Sequence, residues 1–397
     1  MIEIITAGHT CMDVLIEMSA ASAQSDSFLA PGRLVESGPL SFTPGGSVPN
    51  TGVALFKLGT DVRLIGRVGT DRVGALTREV LSAYSPALAE HLIVAPHEPS
   101  SYTVVISPPG IDRTFLHCPG PNDTFGPEHL DPEMLRQTQI LHLGYPPLMR
   151  RMYADGGATL AETLARARGC GATVSLDLAM PDPARPSGQA DWPAILAAAL
   201  PQVDLFVPSV EELLYMLDRP TFDAFAARYG SAGMIDALSP ETVEALAQQA
   251  LHLGARVVFI KLGHRGAYLR TGACAGELGR GAPRPIEAWR WRQLWAPAYR
   301  VTVRGTVGAG DATVAGLLTA IVRGQGPAEA ANSATAVGAC SVEQTDAASG
   351  LLSWAATQRR IASGLSRRAS GLEGSPAWRH DATADILRGP LDGVALG

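Results

Sequence analysis

Six short stretches are apolar at most positions: IEIITAG (2–8), VRLIGRVG (62–69), ILHLGYP (140–146), ATVSLDLAM (172–180), VDLFVPS (203–209) and ARVVFIKLG (255–263). Runs of this length, rich in β-branched residues and often closed by Gly or Pro, read as strands buried on both faces rather than strands with one wet side. Between them lie TLAETLARAR, DWPAILAAAL, VEELLYML and TVEALAQQALHL, whose apolar residues return with helical spacing. Strand and helix in alternation predict a doubly wound α/β fold, a mostly parallel sheet flanked on both faces by helices.

Two regions break the alternation. Residues 15–45 and 97–125 are rich in Ser, Pro, Gly and Thr and contain the alternating stretches SYTVVISP and RTFLHCP, which suit exposed antiparallel strands. They are expected to form a small β-rich lid over the carboxyl edge of the sheet, where open α/β sheets bind ligands. Segments 1–14, 46–96 and 126–354 then make the core. Residues 270–300 read as an irregular insertion in which WRWRQLW forms a strand with aromatic and basic faces. The polar stretch 355–397, with its Arg pairs and Gly/Pro breaks, reads as a peripheral, partly disordered extension.

Composition narrows the class. With 397 residues, 46% hydrophobic, 18% charged and a net charge of -6, the chain reads as globular and argues against nucleic acid or an anionic membrane as the main partner. Cys11, Cys118, Cys170, Cys274 and Cys340 lie far apart with no metal-ligand spacing, which predicts a reducing, cytoplasmic setting. The start, MIEIITAGHT, reads as a strand and not a signal peptide, and no segment is apolar for long enough to span a bilayer. Lys57 and Lys261 stand out as the lysines of an otherwise Arg-based chain.

Two stretches carry candidate chemistry. RGTVGAGDATVAGLL (304–318) sets a single carboxylate, Asp311, between a glycine-rich turn and a helical run of small residues. A carboxylate there can cap the helix, and the same N-terminus attracts phosphate. TPGGSVPNTGVALFKLG (43–59) has paired glycines that allow close backbone approach, followed by Asn50, which can both donate to and accept from hydroxyls. It can equally be an ordinary turn with a cap. Asp13, expected at the end of the first strand, can cap a helix or accept hydrogen bonds from a polyol.

Taken together, GGSVPNTGVALFKLGTDVRLIGRVGTDRVG and GTVGAGDATVAGLL, with HLGYPPL, VSLDLAMP, FVPSVEEL and VVFIKLGHRGAYL in order between them, resemble the ribokinase or PfkB family of carbohydrate and nucleoside kinases. The resemblance covers roughly residues 1–350. It implies a ribokinase-like fold with ATP and Mg²⁺ as cofactors and Asp311 as the base that takes the proton of the substrate hydroxyl. The N–H groups of Gly308, Ala309 and Gly310 would form the anion hole, as phosphoryl transfer requires. By the same resemblance Asp13, Gly45, Gly46 and Asn50 meet the sugar, joined by Asn122 from the lid. Lys261, Gly263, Gly266, Thr306 and Thr335 lie on the nucleotide side, and Glu212 organises Mg²⁺ through water. Lids of this kind often pair between subunits, so a homodimer is expected.

The chain departs from the pattern at three places. The usual Asn-x-x-Glu reads Ser209-Val210-Glu211-Glu212, Gly305 stands where many members carry an Asp that helps bind a monovalent cation, and Thr335 replaces an Asn or His near the adenine. The activity expected is phosphorylation of a hydroxymethyl group on a small sugar or related polyol. A nucleoside kinase and a catalytically inactive binding protein of the same fold are the alternatives. Arg113 in the lid is too little to indicate a phosphosugar. No Gly-Lys-Ser/Thr occurs, which excludes a P-loop, and the late glycine turn lacks the context of a dinucleotide fingerprint.

Overall fold

The computed structural model describes residues 1–18, 31–32, 34–107, 114–274, 278–372 and 375–395. In chain order its strands are β1 (Ile2–Gly8), β2 (Cys11–Glu17), β3 (Leu40–Gly45), β4 (Val62–Ile65), β5 (Arg67–Gly69), β6 (Ile93–Ala95), β7 (Tyr102–Ser107) and β8 (Thr114–Cys118). They continue with β9 (Thr138–Gly144), β10 (Thr173–Leu176), β11 (Leu205–Phe206), β12 (Val257–Lys261), β13 (Ala267–Thr271), β14 (Gln293–Ala296), β15 (Arg379–Asp381) and β16 (Ile386–Arg388). The main sheet has ten strands in the order β15-β16-β14-β13-β12-β11-β10-β9-β1-β4. From β4 to β12 the pairing is parallel, and from β12 outward it is antiparallel.

The apolar runs do what their pattern predicts. Ile5, Leu141, Leu143, Val258 and Ile260 enter one core, while their neighbours Ile4, Ile140, Val257 and Phe259 enter the other. Alternate side chains of one strand thus serve opposite faces, and both faces are dry. Residues of α1 (Ser47–Lys57), α3 (Ala309–Val322) and α4 (Pro327–Ser341) cover the Ile4 side; those of the helix 158–169 and of α2 (Val210–Leu217) cover the Ile5 side.

The structure corrects several expectations. VRLIGRVG is two strands, β4 and β5, broken at Gly66, where a side chain would meet Thr10 Oγ1 at 1.8 Å. WRWRQLW is not one strand: Trp289 closes a 3₁₀ turn, Trp291 has φ 57, and pairing begins at Gln293. The lid sheet, β3-β2-β7-β8, is mixed, because β2 runs parallel to β7. Its strand β2 starts at Cys11, so Asp13 belongs to the lid, and His9 and Thr10 alone connect it to β1.

The stretch from 355 onward is not merely peripheral. It forms a helix, Trp354–Ala362, and then β15 and β16, and β16 pairs with β14 at the rim of the main sheet. Arg300 and Arg368 N–H groups also bond across to Ser366 and Ala298 carbonyls at 2.8 and 2.7 Å. Trp378 fixes this segment: it is 8% exposed and meets the Trp295 and Tyr268 rings edge-on at 5.9 and 6.2 Å. Such a triad is part of a core, so Trp378→Ala is expected to cost about 3–5 kcal/mol. Urea unfolding measures this; a loss below about 1 kcal/mol would show that the extension adds nothing to the core.

Candidate active site

Helix α3 opens on Gly308, whose φ of 69° is in the left-handed region and whose Cα faces Ala347 so closely that a Cβ would lie 2.4 Å from the Ala347 methyl. Only glycine fits both demands. One turn into the helix, Asp311 is 2% exposed. Its Oδ2 accepts from Asn50 Nδ2 at 3.2 Å and from the Tyr145 hydroxyl at 2.9 Å, and its Oδ1 accepts from Thr51 Oγ1 at 3.1 Å. Burial raises its pKa to about 6 against the lowering effects of Lys261 and these three donors. A carboxylate has about four lone-pair positions, so three donors leave room for one more proton donor.

Helix α1 supplies Asn50 and Thr51, and the end of β9 supplies Tyr145 at φ 65. Sequence reasoning found Asn50 and missed the other two. The signal for Tyr145 was topological: β1 pairs with both β9 and β4, and ligands gather at the carboxyl ends of such strands. The paired glycines are explained by their neighbours. A Cβ on Gly45 would lie 2.3 Å from the Asp13 carboxyl group, and one on Gly46, at φ 84, would lie 2.5 Å from His9 Nδ1. Burial raises the Asp13 pKa to about 6, against bonds from Cys11 and Thr103.

Asn122 does not join this group. Its Oδ1 accepts from the Thr10 N–H at 2.9 Å, and its Nδ2 donates to the carbonyls of Thr10 and Pro119 at 3.0 and 2.8 Å. Fully buried and fully bonded, it ties the turn 120–124 to the core–lid connection and has no donor left for a sugar. Arg113 lies outside the described residues.

On the expected nucleotide side, the Ala309 N–H donates to the Thr306 carbonyl at 3.3 Å, so Gly308 and Gly310 remain the better anion-hole candidates of the trio. A Cβ on Gly310 would fill the gap toward Lys261 Nζ, 3.6 Å away. Gly263 and Gly266, at φ 51 and 98, shape the tight link from β12 to β13, and a Cβ on Gly266 would lie 2.0 Å from the Ala296 carbonyl oxygen. At Gly305 a side chain would meet Gln344 and Thr345 at 2.9 Å, which leaves no room for the missing carboxylate. Thr335 is buried beneath the extension, where Arg367 approaches its Oγ1 at 3.4 Å and lies 3.7 Å over the Tyr299 ring.

Glu212 closes a capping box at the start of α2. Its Oε2 accepts from the Ser209 N–H at 2.8 Å, and its own N–H reaches Ser209 Oγ at 3.5 Å. Ser209, the departure from the usual Asn, is thus an N-cap. Among the described residues no cluster of three or more His, Cys, Asp or Glu is set to hold a metal ion. Mg²⁺ beside a nucleotide keeps most of its waters and takes one or two carboxylates together with phosphates. Glu212 and Asp177 are nearby carboxylates, both within electrostatic reach of Lys261; Glu212 Oε2 also serves its capping box, and both Asp177 oxygens pair with Lys261.

A model of the pfkB family of carbohydrate kinases matches residues 1–354. An ATP-dependent ribose-1-phosphate kinase of Halopiger xanaduensis is 29% identical over 219 residues; the match covers 55% of this chain and spans 65% of that protein's length. A fructokinase of Vibrio alginolyticus is 25% identical over 280 residues, covering 70% of this chain and 77% of that protein. The ribokinase of Thermotoga maritima superposes with a TM-score of 0.65 at 21% identity, covering 91% of this chain and all of that one. The Arabidopsis thaliana ribokinase complexed with ribose and ATP gives 0.66 at 18% identity, covering 90% and 98%.

Lys261, expected in the nucleotide loop, turns its ammonium to Asp177, with Nζ 2.6 and 2.7 Å from the two carboxylate oxygens. Asp177 is fully buried at the end of β10. Burial opposes the lysine charge, yet Asp177, Glu212 and Asp311 around it hold its pKa above the ordinary value. Removing the ammonium leaves a buried carboxylate without its partner. Lys261→Met is expected to cost about 3–5 kcal/mol in chemical denaturation. Adding Asp177→Asn should recover part of that loss, and strictly additive losses would mean that the pair is not coupled.

Proposed function

The chain belongs to the pfkB family of carbohydrate kinases, and we propose that it transfers the γ-phosphoryl group of ATP to a hydroxymethyl group of a small sugar or related polyol. The observation that carries this reading is the placement of Asp311: a buried carboxylate with one accepting position left, in the first turn of a glycine-started helix. The relatives support the class of donor and acceptor, one being ATP-dependent and another a ribokinase complexed with ribose and ATP.

In this reading Asp311 takes the proton of the acceptor hydroxyl, while Asn50 and Tyr145 fix the carboxylate so that its free lone pair faces the acceptor. Asp13 and Asn50 orient the acceptor's other hydroxyls. The Gly308 and Gly310 amides and the α3 dipole stabilise charge on the transferred group. Lys261, 3.6 Å from the Gly310 Cβ position, adds a fixed positive charge to the same gap. Mg²⁺, held by the phosphates with Glu212 and Asp177 through water, would neutralise the charge of the nucleotide. The lid excludes water from the transfer. The free cysteines among the described residues suit a reducing cytoplasm.

The lid also supports a homodimer. Leu40, Phe42, Tyr102 and Leu116, which the register places on one face of the lid sheet, are each 38–53% exposed, an apolar surface that a second copy of the lid would cover. Sedimentation equilibrium is expected to give a dimer, and Phe42→Asp with Leu116→Asp a monomer. A monomeric wild type at micromolar concentration would remove the dimer from the proposal.

The activity is tested by ADP release with ATP and Mg²⁺ across ribose, ribose 1-phosphate, fructose and nucleosides. Because the base must be ionised and its pKa lies near 6, kcat/KM should fall as pH drops below about 6, about tenfold per unit for one group and more steeply if Asp13 also titrates. Asp311→Asn should lower kcat at least about 100-fold and abolish the part of this limb that belongs to Asp311. Near-normal turnover in that variant would overturn the assignment.

A further inference from the structure

His9 is 2% exposed, and among the described residues neither of its ring nitrogens has a hydrogen-bond partner. Buried polar atoms are nearly always paired, so an imidazole orphaned at both nitrogens calls for a ligand. Its surroundings define the place. Nδ1 lies over Gly46, 2.5 Å from where a Cβ would be. The ring centroid is 6.1 Å from that of Tyr145, whose hydroxyl donates to Asp311, and 5.4 Å from that of His117 on lid strand β8.

His117 repeats the feature from the lid side. Its Nδ1 shares a 3.0 Å bond with Thr103 Oγ1, which also meets Cys11 Sγ at 3.1 Å beside Asp13, while its Nε2 is buried and unpartnered. Three unpaired nitrogens, two from the core–lid connection and one from the lid, thus lie beside Gly46, Tyr145 and the Cys11–Asp13 end of β2.

We propose that His9, with His117, is a specificity-determining element of the acceptor pocket that reads one secondary hydroxyl of the substrate. This rests on the acceptor role given above to Asp13, Asn50 and Asp311. Burial, reinforced by His117, lowers the His9 pKa to about 3, so the ring is neutral and offers one N–H donor and one bare nitrogen acceptor. The two nitrogens point to opposite sides of the ring, so a hydroxyl pairs with the one that faces it, accepting from the N–H or donating to the bare nitrogen. A deoxy position makes neither bond. A site built on buried groups that need a hydroxyl rejects the analogue lacking it far more strongly than an apolar pocket rejects a size change.

The probes are D-ribose, D-fructose and adenosine, each beside its monodeoxy analogues, with kcat/KM read with ATP and Mg²⁺ and binding read by calorimetry without ATP. Wild type is expected to prefer the parent over one particular deoxy analogue by about 100-fold or more. His9→Phe should bring that single ratio to within about threefold of unity while leaving the ratios at other hydroxyls in place, and His9→Asn, which keeps a donor and an acceptor, should retain most of it. A purely structural role would lower all ratios or none. If His9→Phe does not fold, His117→Phe reads the same hydroxyl from the lid. Equal ratios in wild type and variant overturn the inference and leave the kinase reading intact. A wild type that binds a parent sugar with this hydroxyl preference but transfers no phosphate overturns the kinase reading alone.

Discussion

The carboxylate of Asp311 is the constraint to which the rest of the site is fitted. It is buried at a helix N-terminus, and it joins segments that are remote in the chain: α3, α1 through Asn50 and Thr51, and the end of β9 through Tyr145. Burying a carboxylate is costly unless donors replace the lost water, and these three donors do so without neutralising it. The result is a carboxylate whose pKa, near 6, suits the base role proposed for it, high enough to accept a proton and low enough to be ionised near neutrality. Tyr145 pays for its place with a left-handed backbone, which a side chain adopts only when its surroundings hold it there.

Around that carboxylate, glycines make room for their neighbours. Gly45 and Gly46 stand aside for Asp13 and His9, Gly308 for Ala347, and Gly310 for the approach of Lys261. The glycines of both motifs are therefore read better as spaces than as flexible joints. Asn122 fixes the neighbouring connection by bonding both polar groups of the Thr10 backbone. The turn 120–124 is thereby tied to the link between lid and core.

Much of this was legible in the sequence, for identifiable reasons. Runs such as IEIITAG and ARVVFIKLG are apolar on both faces, and only a sheet covered on both sides can bury them, so the parallel core followed from patterning. Asp311 and Asn50, which the structure brings together, were singled out because each follows a glycine turn that opens a helix. Thr51 and Tyr145 were not singled out because no local pattern marks them; the fold brings both to Asp311, Tyr145 from the end of β9. Asn122 was misread because a turn residue and a buried, fully bonded amide look alike in one dimension. The extension was misread because β15 and β16 are three residues each, too short for a period, and Trp378 gives them a core contact that no sequence pattern shows.

The rims of the main sheet have a further consequence. Outermost strands offer unpaired backbone groups on which a foreign strand can grow, and proteins blunt them by shortness and charge. Here one rim is β4, four residues with Arg63 among them, and the other is β15, whose three residues are Arg379, His380 and Asp381. By adding β16 and β15 beyond β14, the extension replaces an edge of Gln293, Leu294, Trp295 and Ala296 with a short charged one. Strand-templated aggregation thus finds little purchase on the ten-stranded sheet, and among the described residues β3 and β8, the rims of the lid sheet, are edges more open to it.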